Sequence, residues 1–123
     1  MLNFYGLKLT TKQPVYVQIA SYVKLQILRG SAVSGDRLPS RREVAAQLQV
    51  NPNTVQKAFK LMEDEGYVRT SSTLGSVIEV DEAMLSRIRT EMTQELVSEF
   101  VASARELGLS FKQVIDLISK LWE

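Results

Sequence analysis

The stretch RLPSRREVAAQLQVNPNTVQKAFKLMEDEG, residues 37–66, predicts two short helices that are joined by a tight turn. Ser40, followed three residues later by Glu43, is a capping-box pattern that opens the first of these helices. Asn51 precedes a proline at the first helical position and begins the second helix, which Gly66 is placed to end. Apolar residues recur in both segments at helical spacing. We therefore expect residues 37–66 to form a helix-turn-helix.

The segments on either side of this motif extend it to a small domain. Before it, Pro14 begins a helical apolar pattern that Gly30 ends. After it, residues 67–70 and 76–80 are short β-type runs separated by a turn-rich segment, which is the pattern of a hairpin. The expected fold is mainly α with a small β-hairpin wing, namely a winged helix-turn-helix domain over residues 1–80.

The last third of the chain has the pattern of two amphipathic helices. Asp81 can cap a long helix that reaches Leu107, and Gly108 then interrupts it. Ser110 opens a second capping-box pattern for the last helix. We therefore expect a two-helix tail over residues 81–123, with the domain boundary near Asp81.

Composition argues against several classes of function. The chain has no cysteine and no histidine, so disulfides, thiolate nucleophiles, imidazole bases and most metal sites are unavailable. We therefore expect no metal, no cofactor and no enzymatic activity. No apolar run approaches the roughly 20 residues needed to cross a bilayer, and the N-terminus lacks a signal-peptide pattern. These features favour a cytoplasmic protein without a membrane partner.

Charge is unevenly distributed, although the formal net charge is only +1. Residues 1–80 contain ten Lys and Arg against six Asp and Glu, whereas residues 81–123 contain five against eight. The positive excess in the first part favours a polyanionic partner, and the tail is expected to have another role. Random surface charge is the alternative explanation for this asymmetry when it is taken alone.

The second helix of the helix-turn-helix has an outer face suited to double-stranded DNA. The major groove accepts an α-helix; Asn and Gln can pair with adenine there, while Lys and Arg can neutralise phosphates. Arginines before and within the preceding helix suit phosphate or guanine contacts. The DNA-binding residues predicted on these grounds are Arg37, Ser40, Arg41, Arg42, Asn51, Asn53, Thr54, Gln56, Lys57, Lys60 and Arg69. A solvated polar face is the alternative for this set.

The broad apolar stripes of the tail indicate a homodimer interface. Stripes this wide need more partner surface than a small winged domain offers. The predicted dimerisation residues are Ile88, Met92, Leu96, Phe100, Phe111, Ile115, Ile118 and Trp122. The alternative is that the tail packs back on the winged domain, and for Phe111 and Trp122 a plain core position is the simpler interpretation. Two helices hardly enclose a drug-sized pocket, so whether a small-molecule effector exists stays open.

The segment GDRLPSRREVA, residues 35–45, resembles the winged-helix domain of the GntR family of bacterial regulators. Further segments similar to that family follow the same order at residues 14–19, 51–55, 61–68 and 75–78. The resemblance implies a sequence-specific DNA-binding transcription regulator.

The resemblance also implies roles for individual residues. Arg42 matches the arginine that the family uses on DNA, Thr54 and its neighbours match the start of the recognition helix, and Gly75 matches the wing-tip glycine. Arg41 stands where the family usually has Glu, and Gln56 stands where Arg is common. The operator sequences of relatives are therefore not carried over to this chain.

Residues 51–55 and a tail as short as residues 81–123 are similar to the YtrA-like subfamily. This resemblance implies dimerisation through two short helices and control of operons that often encode transporters. The expected function is therefore that of a homodimeric repressor acting on an inverted-repeat operator. A winged-helix protein-interaction module without specific DNA binding is the alternative from a different class.

Overall fold

The computed structural model describes residues 1–122, which form helices and one antiparallel hairpin. The elements are α1 Val15–Arg29, α2 Arg41–Leu48, α3 Pro52–Glu65, β1 Val68–Ser71, β2 Gly75–Ile78, α4 Glu82–Glu106 and α5 Phe111–Leu121. The mainly helical fold with a small hairpin that the sequence predicts is thereby confirmed. None of these helices is long and apolar enough to cross a membrane.

The two helices of the central motif begin and end where local chemistry dictates. At the start of α2, the Ser40 hydroxyl accepts a hydrogen bond from the Glu43 amide at 3.1 Å, and the Glu43 carboxylate accepts one from the Ser40 amide at 3.0 Å. At the start of α3, the Asn51 side chain accepts a hydrogen bond from the Asn53 amide at 2.8 Å. Between the helices, Gln49 adopts a left-handed conformation with φ of 57°. This conformation allows the chain to turn within the three residues that separate α2 from α3.

A first compact unit, Met1–Ile88, is built around the three helices α1, α2 and α3. The apolar stripe of α3, which includes Val55, Phe59 and Met62, is fully buried in this unit. Ile19 and Val23 of α1 are buried to the same extent. This core fixes which side of α3 remains in contact with solvent.

The hairpin packs beside α2 through an additional extended segment. β1 and β2 pair antiparallel from Val68 opposite Ile78 to Ser71 opposite Gly75. Arg37 forms an antiparallel bridge with Val77 of β2. The segment before α2 therefore lies along the edge of β2 that is not paired with β1. The strands differ by one or two residues at each end from the predicted runs 67–70 and 76–80. Tyr67, directly before β1, is fully buried, and its hydroxyl donates a hydrogen bond to the backbone carbonyl of Ala20 on α1.

The N-terminal segment contributes a core residue that sequence patterns did not indicate. Phe4 is fully buried, and its ring centroid lies 5.4 Å from that of Tyr22 on α1. The Phe4 amide donates a hydrogen bond to the side-chain oxygen of Gln47 on α2 at 2.7 Å. The segment therefore bridges α1 and α2.

Helix α4 begins in the first compact unit. Its start is capped by Asp81, whose carboxylate accepts a hydrogen bond from the Met84 amide at 2.8 Å, as the sequence predicts. Ile88 is fully buried in this unit, so it is a core residue and does not form part of an exposed interface. The first compact unit therefore ends at Ile88 and not near Asp81, where the sequence predicts the domain boundary, because the early turns of α4 pack with the winged unit.

A second compact unit begins at Arg89 and contains the rest of α4 together with α5. Ser110 and Gln113 form a complete capping box at the start of α5. No residue of α5 is buried, although the helix is strongly amphipathic. Apart from the half-buried Val114, its large apolar side chains are exposed to solvent in the single chain.

Candidate nucleic-acid interface

Helix α3 has a buried apolar side and an exposed polar side. Because the apolar stripe is used in the core, the opposite side faces solvent. The exposed predicted DNA-binding residues on or directly before this helix are Asn51, Asn53, Gln56, Lys57 and Lys60. Thr54 is half-buried near the start of the helix. The polar side thus presents amides and cations, with its first acidic residue at Glu63.

The two lysines on this side have different surroundings. The Lys57 ammonium lies 5.6 Å from the centroid of the Tyr16 ring, close enough for a weak cation–π interaction. The Lys60 ammonium lies 3.4 Å from the Asp64 carboxylate one helical turn further on. Both lysines are exposed, so water screens these interactions and leaves the cations accessible to a polyanion.

An open crevice lies between the N-terminus of α2 and the hairpin. It is lined by Met1, Arg37, Leu38, Pro39, Ser40, Arg41, Arg42, Phe59, Thr70, Leu74, Gly75 and Ser76. The first backbone amides of a helix lack partners within the helix, and its N-terminus is electropositive. A crevice with this helix end and several guanidinium groups suits a phosphate.

The adjacent arginines at the start of α2 lie in different environments. The Arg41 guanidinium carbon lies 4.9 Å from the centroid of the Phe59 ring, and its Nη2 lies 3.9 Å from a carboxylate oxygen of Glu63. Its Nε is buried and has no hydrogen-bond partner among the described residues. Arg42 is exposed. Arg42 is therefore the more accessible cation, whereas Arg41 packs across the two helices of the motif.

The wing places one predicted cation against an acid. Arg69 on β1 donates through Nε to the Glu79 carboxylate, and both side chains are about half exposed. The positive charge of Arg69 is thereby partly compensated. Gly75 is the first residue of β2, directly after the turn of the hairpin, and has a φ of +72°, a conformation that residues with a side chain rarely adopt.

Three wing residues in the crevice were missed by sequence reasoning. Thr70 and Ser76 lie opposite each other on the two strands, and their hydroxyl oxygens are 2.7 Å apart. Leu74 is a half-exposed apolar residue in the turn. The hairpin pattern located these residues in the wing, but it gave no signal that they would face α2. Within residues 1–122, no cluster of acidic side chains is suited to a metal ion.

The remaining predicted dimerisation residues lie in the second unit. Met92 is half-buried on α4. The others are exposed large apolar residues: Leu96, Phe100, Phe111, Ile115, Ile118 and Trp122. Phe111 and Trp122 are each 82% exposed, so in the single chain neither occupies the plain core position that was the simpler expectation.

The helix-turn-helix, the flanking hairpin and the cationic outer face of α3 together define a winged helix-turn-helix of the DNA-binding class. The family model described as "Bacterial regulatory proteins, gntR family" matches residues 15–78. The chain belongs to the GntR family, and it is a DNA-binding transcription regulator.

Two curated relatives from Bacillus subtilis (strain 168) match nearly the whole chain. The HTH-type transcriptional regulator YhcF is 34% identical over 92% of this chain and 93% of its own length. The HTH-type transcriptional repressor YtrA is 33% identical over 88% of this chain and 84% of its own length. These matches support the YtrA-like resemblance, and both relatives are regulators rather than enzymes.

A solved structure shows the same fold. The GntR family transcriptional regulator from Listeria monocytogenes superposes with a TM-score of 0.79 and 27% sequence identity. The match covers 92% of this chain and 99% of the Listeria chain. It therefore extends beyond the winged unit into the two-helix tail.

Proposed function

We propose that this chain is a homodimeric repressor that binds an inverted-repeat operator through two copies of α3. The observation that carries the proposal is the exposed apolar surface of the tail, together with the polar outer face of α3. The apolar surface of the tail requires a partner surface, and the polar face of α3 is suited to DNA. In this proposal residues 1–80 bind DNA and residues 81–123 dimerise, with the early turns of α4 buried in the winged unit.

The tail supports dimerisation through the exposure of its large side chains. Leu96 is 68% exposed, Leu121 is 82% exposed, and Phe100 and Ile118 lie nearby in the same apolar surface. Burying one such side chain contributes about 1.5–3 kcal/mol, so several of them can stabilise a dimer. Monomeric proteins rarely expose contiguous apolar patches of this kind.

A second copy is the partner that this surface favours. A two-fold axis brings the same patch of both copies together, so the apolar surface of one tail can be covered by the same surface of a second copy. The same axis would place two recognition helices about 34 Å apart, or a multiple of that distance, on successive turns of one DNA face. An inverted repeat follows from this symmetry.

Repression is favoured by the relative YtrA, which is named as a transcriptional repressor. A dimer on an operator that overlaps a promoter would block polymerase without needing a further domain. The YtrA-like resemblance favours an operon that encodes a transporter as the target. The protein would act in the cytoplasm, where bacterial DNA lies.

Selection from random-sequence DNA tests the proposal. Duplexes that bind the full-length protein are recovered over several rounds, sequenced and aligned. We expect an enriched inverted repeat whose half-sites are separated by about one helical turn or a multiple of it. Enrichment of a single unrepeated site would contradict the dimeric model, and recovery of no sequence motif would favour the protein-interaction module.

A further inference from the structure

The C-terminal end of the recognition helix is held by the first turns of the helix that leads into the tail. Arg87 on α4 donates a hydrogen bond from Nη2 to the backbone carbonyl of Glu65, the last residue of α3, at 2.5 Å. The last carbonyls of a helix have no partner within the helix and carry partial negative charge. A guanidinium at this point satisfies a carbonyl and interacts favourably with the helix dipole.

The same end of α3 is also held from α1. The Lys24 ammonium lies 2.7 Å from the Glu65 carboxylate, and the lysine side chain is only 15% exposed. The Lys24 ammonium is also 5.5 Å from the centroid of the buried Tyr67 ring. Glu65 is thus bound through its carboxylate by α1 and through its carbonyl by α4.

Two apolar residues of α4 reinforce the contact made by Arg87. The terminal methyl of Met84 lies 3.3 Å from the position that a Cβ on Gly66 would take. Ile88 is fully buried in the winged unit. Residues 84, 87 and 88 follow the i, i+3, i+4 spacing of a single helix face. One face of the first turns of α4, up to Ile88, therefore lies against the core and the end of α3.

We propose that Arg87 is a positioning residue for DNA binding, which couples α4 of the dimerisation tail to the recognition helix. α4 is a continuous helix from Glu82 to Glu106, and its later turns carry the exposed Leu96 and Phe100. Because Arg87 holds the end of the recognition helix α3 to the start of α4, it connects α3 to the part of α4 that the second copy would bind in the proposed dimer. This inference rests on the proposed dimer.

The consequence concerns the spacing of two half-sites. Once one recognition helix of a dimer is bound, the second binds the same duplex in an intramolecular step. The gain in affinity from this second step depends on how well the distance between the two recognition helices matches the spacing of the half-sites. A firm link between α3 and α4 gives a large advantage at one spacing and a small one at others. A loosened link reduces both the advantage and the discrimination between spacings.

Arg87→Ala tests this role, and Arg89→Ala on the same helix is the matched control. Arg89 is exposed in the second unit, so its replacement removes the same charge without altering the contact to Glu65. Both variants and the wild type are titrated by fluorescence anisotropy with three duplexes. These carry the selected palindrome, one half-site, and the palindrome with about five base pairs inserted, which rotates one half-site by half a helical turn.

For Arg87→Ala we expect affinity for the half-site to stay within about twofold of wild type and affinity for the palindrome to fall by about tenfold. The penalty for the insertion should shrink, while Arg89→Ala should match the wild type in all three titrations. An equal loss on half-site and palindrome would overturn the proposal, because it would indicate a direct phosphate contact. Unchanged palindrome binding and insertion penalty, or failure of Arg87→Ala to fold, would also overturn it.

Failure of the proposed function has a different signature. A wild-type protein that is monomeric by light scattering, or that binds the palindrome no more tightly than the half-site, would remove the dimer itself. That outcome is read from the wild type alone and does not depend on Arg87.

Discussion

Neighbouring arginines at the start of α2 illustrate how burial separates two residues of identical chemistry. Arg41 packs over the Phe59 ring and approaches Glu63 on α3, whereas Arg42 is exposed beside the wing. A side chain that is held across two helices contributes to their packing through its aliphatic stem as well as its charge. An exposed guanidinium near a helix N-terminus can instead reach a phosphate or a base edge.

Alanine substitutions should therefore have different effects at these two positions. Arg42→Ala should weaken operator binding by roughly ten- to a hundredfold, since hydrogen bonds to charged groups contribute about 1.5–3 kcal/mol. Its free energy of unfolding in urea should match the wild type. Arg41→Ala should lower the free energy of unfolding by about 1 kcal/mol through the lost cation–π contact and packing. Wild-type operator binding by Arg42→Ala would show that this residue is misassigned.

Residue types in the sequence predict which side chains could contact DNA, but they do not predict which other side chains those residues meet. The predicted cations at positions 37, 42, 57 and 60 are exposed, as an interface requires. The pairing of Arg69 with Glu79 depends on the register of the hairpin, and the contact between Arg87 and Glu65 depends on how α4 packs. Neither is encoded in local spacing.

At the scale of elements, helix ends were predictable because their signals are local. Capping boxes at Ser40 and Ser110 and the left-handed Gly30 and Gly66 all lie where the sequence places them. The N-terminal segment was not predictable, because Phe4 is buried by residues distant in sequence. Long-range burial has no periodic signature in a single extended segment.

The two tail helices lead to a prediction about the dimer. Leu96→Glu places a charge in the exposed apolar surface of α4, while Ser98→Glu adds the same charge at an exposed polar position of the same helix. Because a buried leucine contributes about 1.5–3 kcal/mol, Leu96→Glu should raise the dimer dissociation constant at least about tenfold. Sedimentation equilibrium measures this constant for both variants.

Ser98→Glu should dimerise like the wild type, and both variants should retain the helical circular dichroism of the single chain. If the two variants weakened the dimer equally, general charge repulsion would explain the effect and the apolar surface would not be the interface.

Over the whole molecule, charge and apolar exposure are unevenly distributed along the chain. The winged part has a positive excess, whereas residues 81–123 have an acidic excess and expose apolar side chains. Acidic residues would keep the tail away from the DNA phosphates, and apolar ones would join two copies. Sequence patterns predicted this division, but they could not show that α4 begins inside the winged unit, because that depends on the burial of Ile88.

The mass of the complex formed on one palindromic duplex shows directly whether two copies of the chain bind one operator. Sedimentation or light scattering of the protein with the selected operator measures it without any substitution. We expect a saturated complex whose mass is that of the duplex plus two chains of 13.9 kDa, with no stable intermediate that contains one chain. A complex that saturates at one chain per palindrome would contradict this expectation.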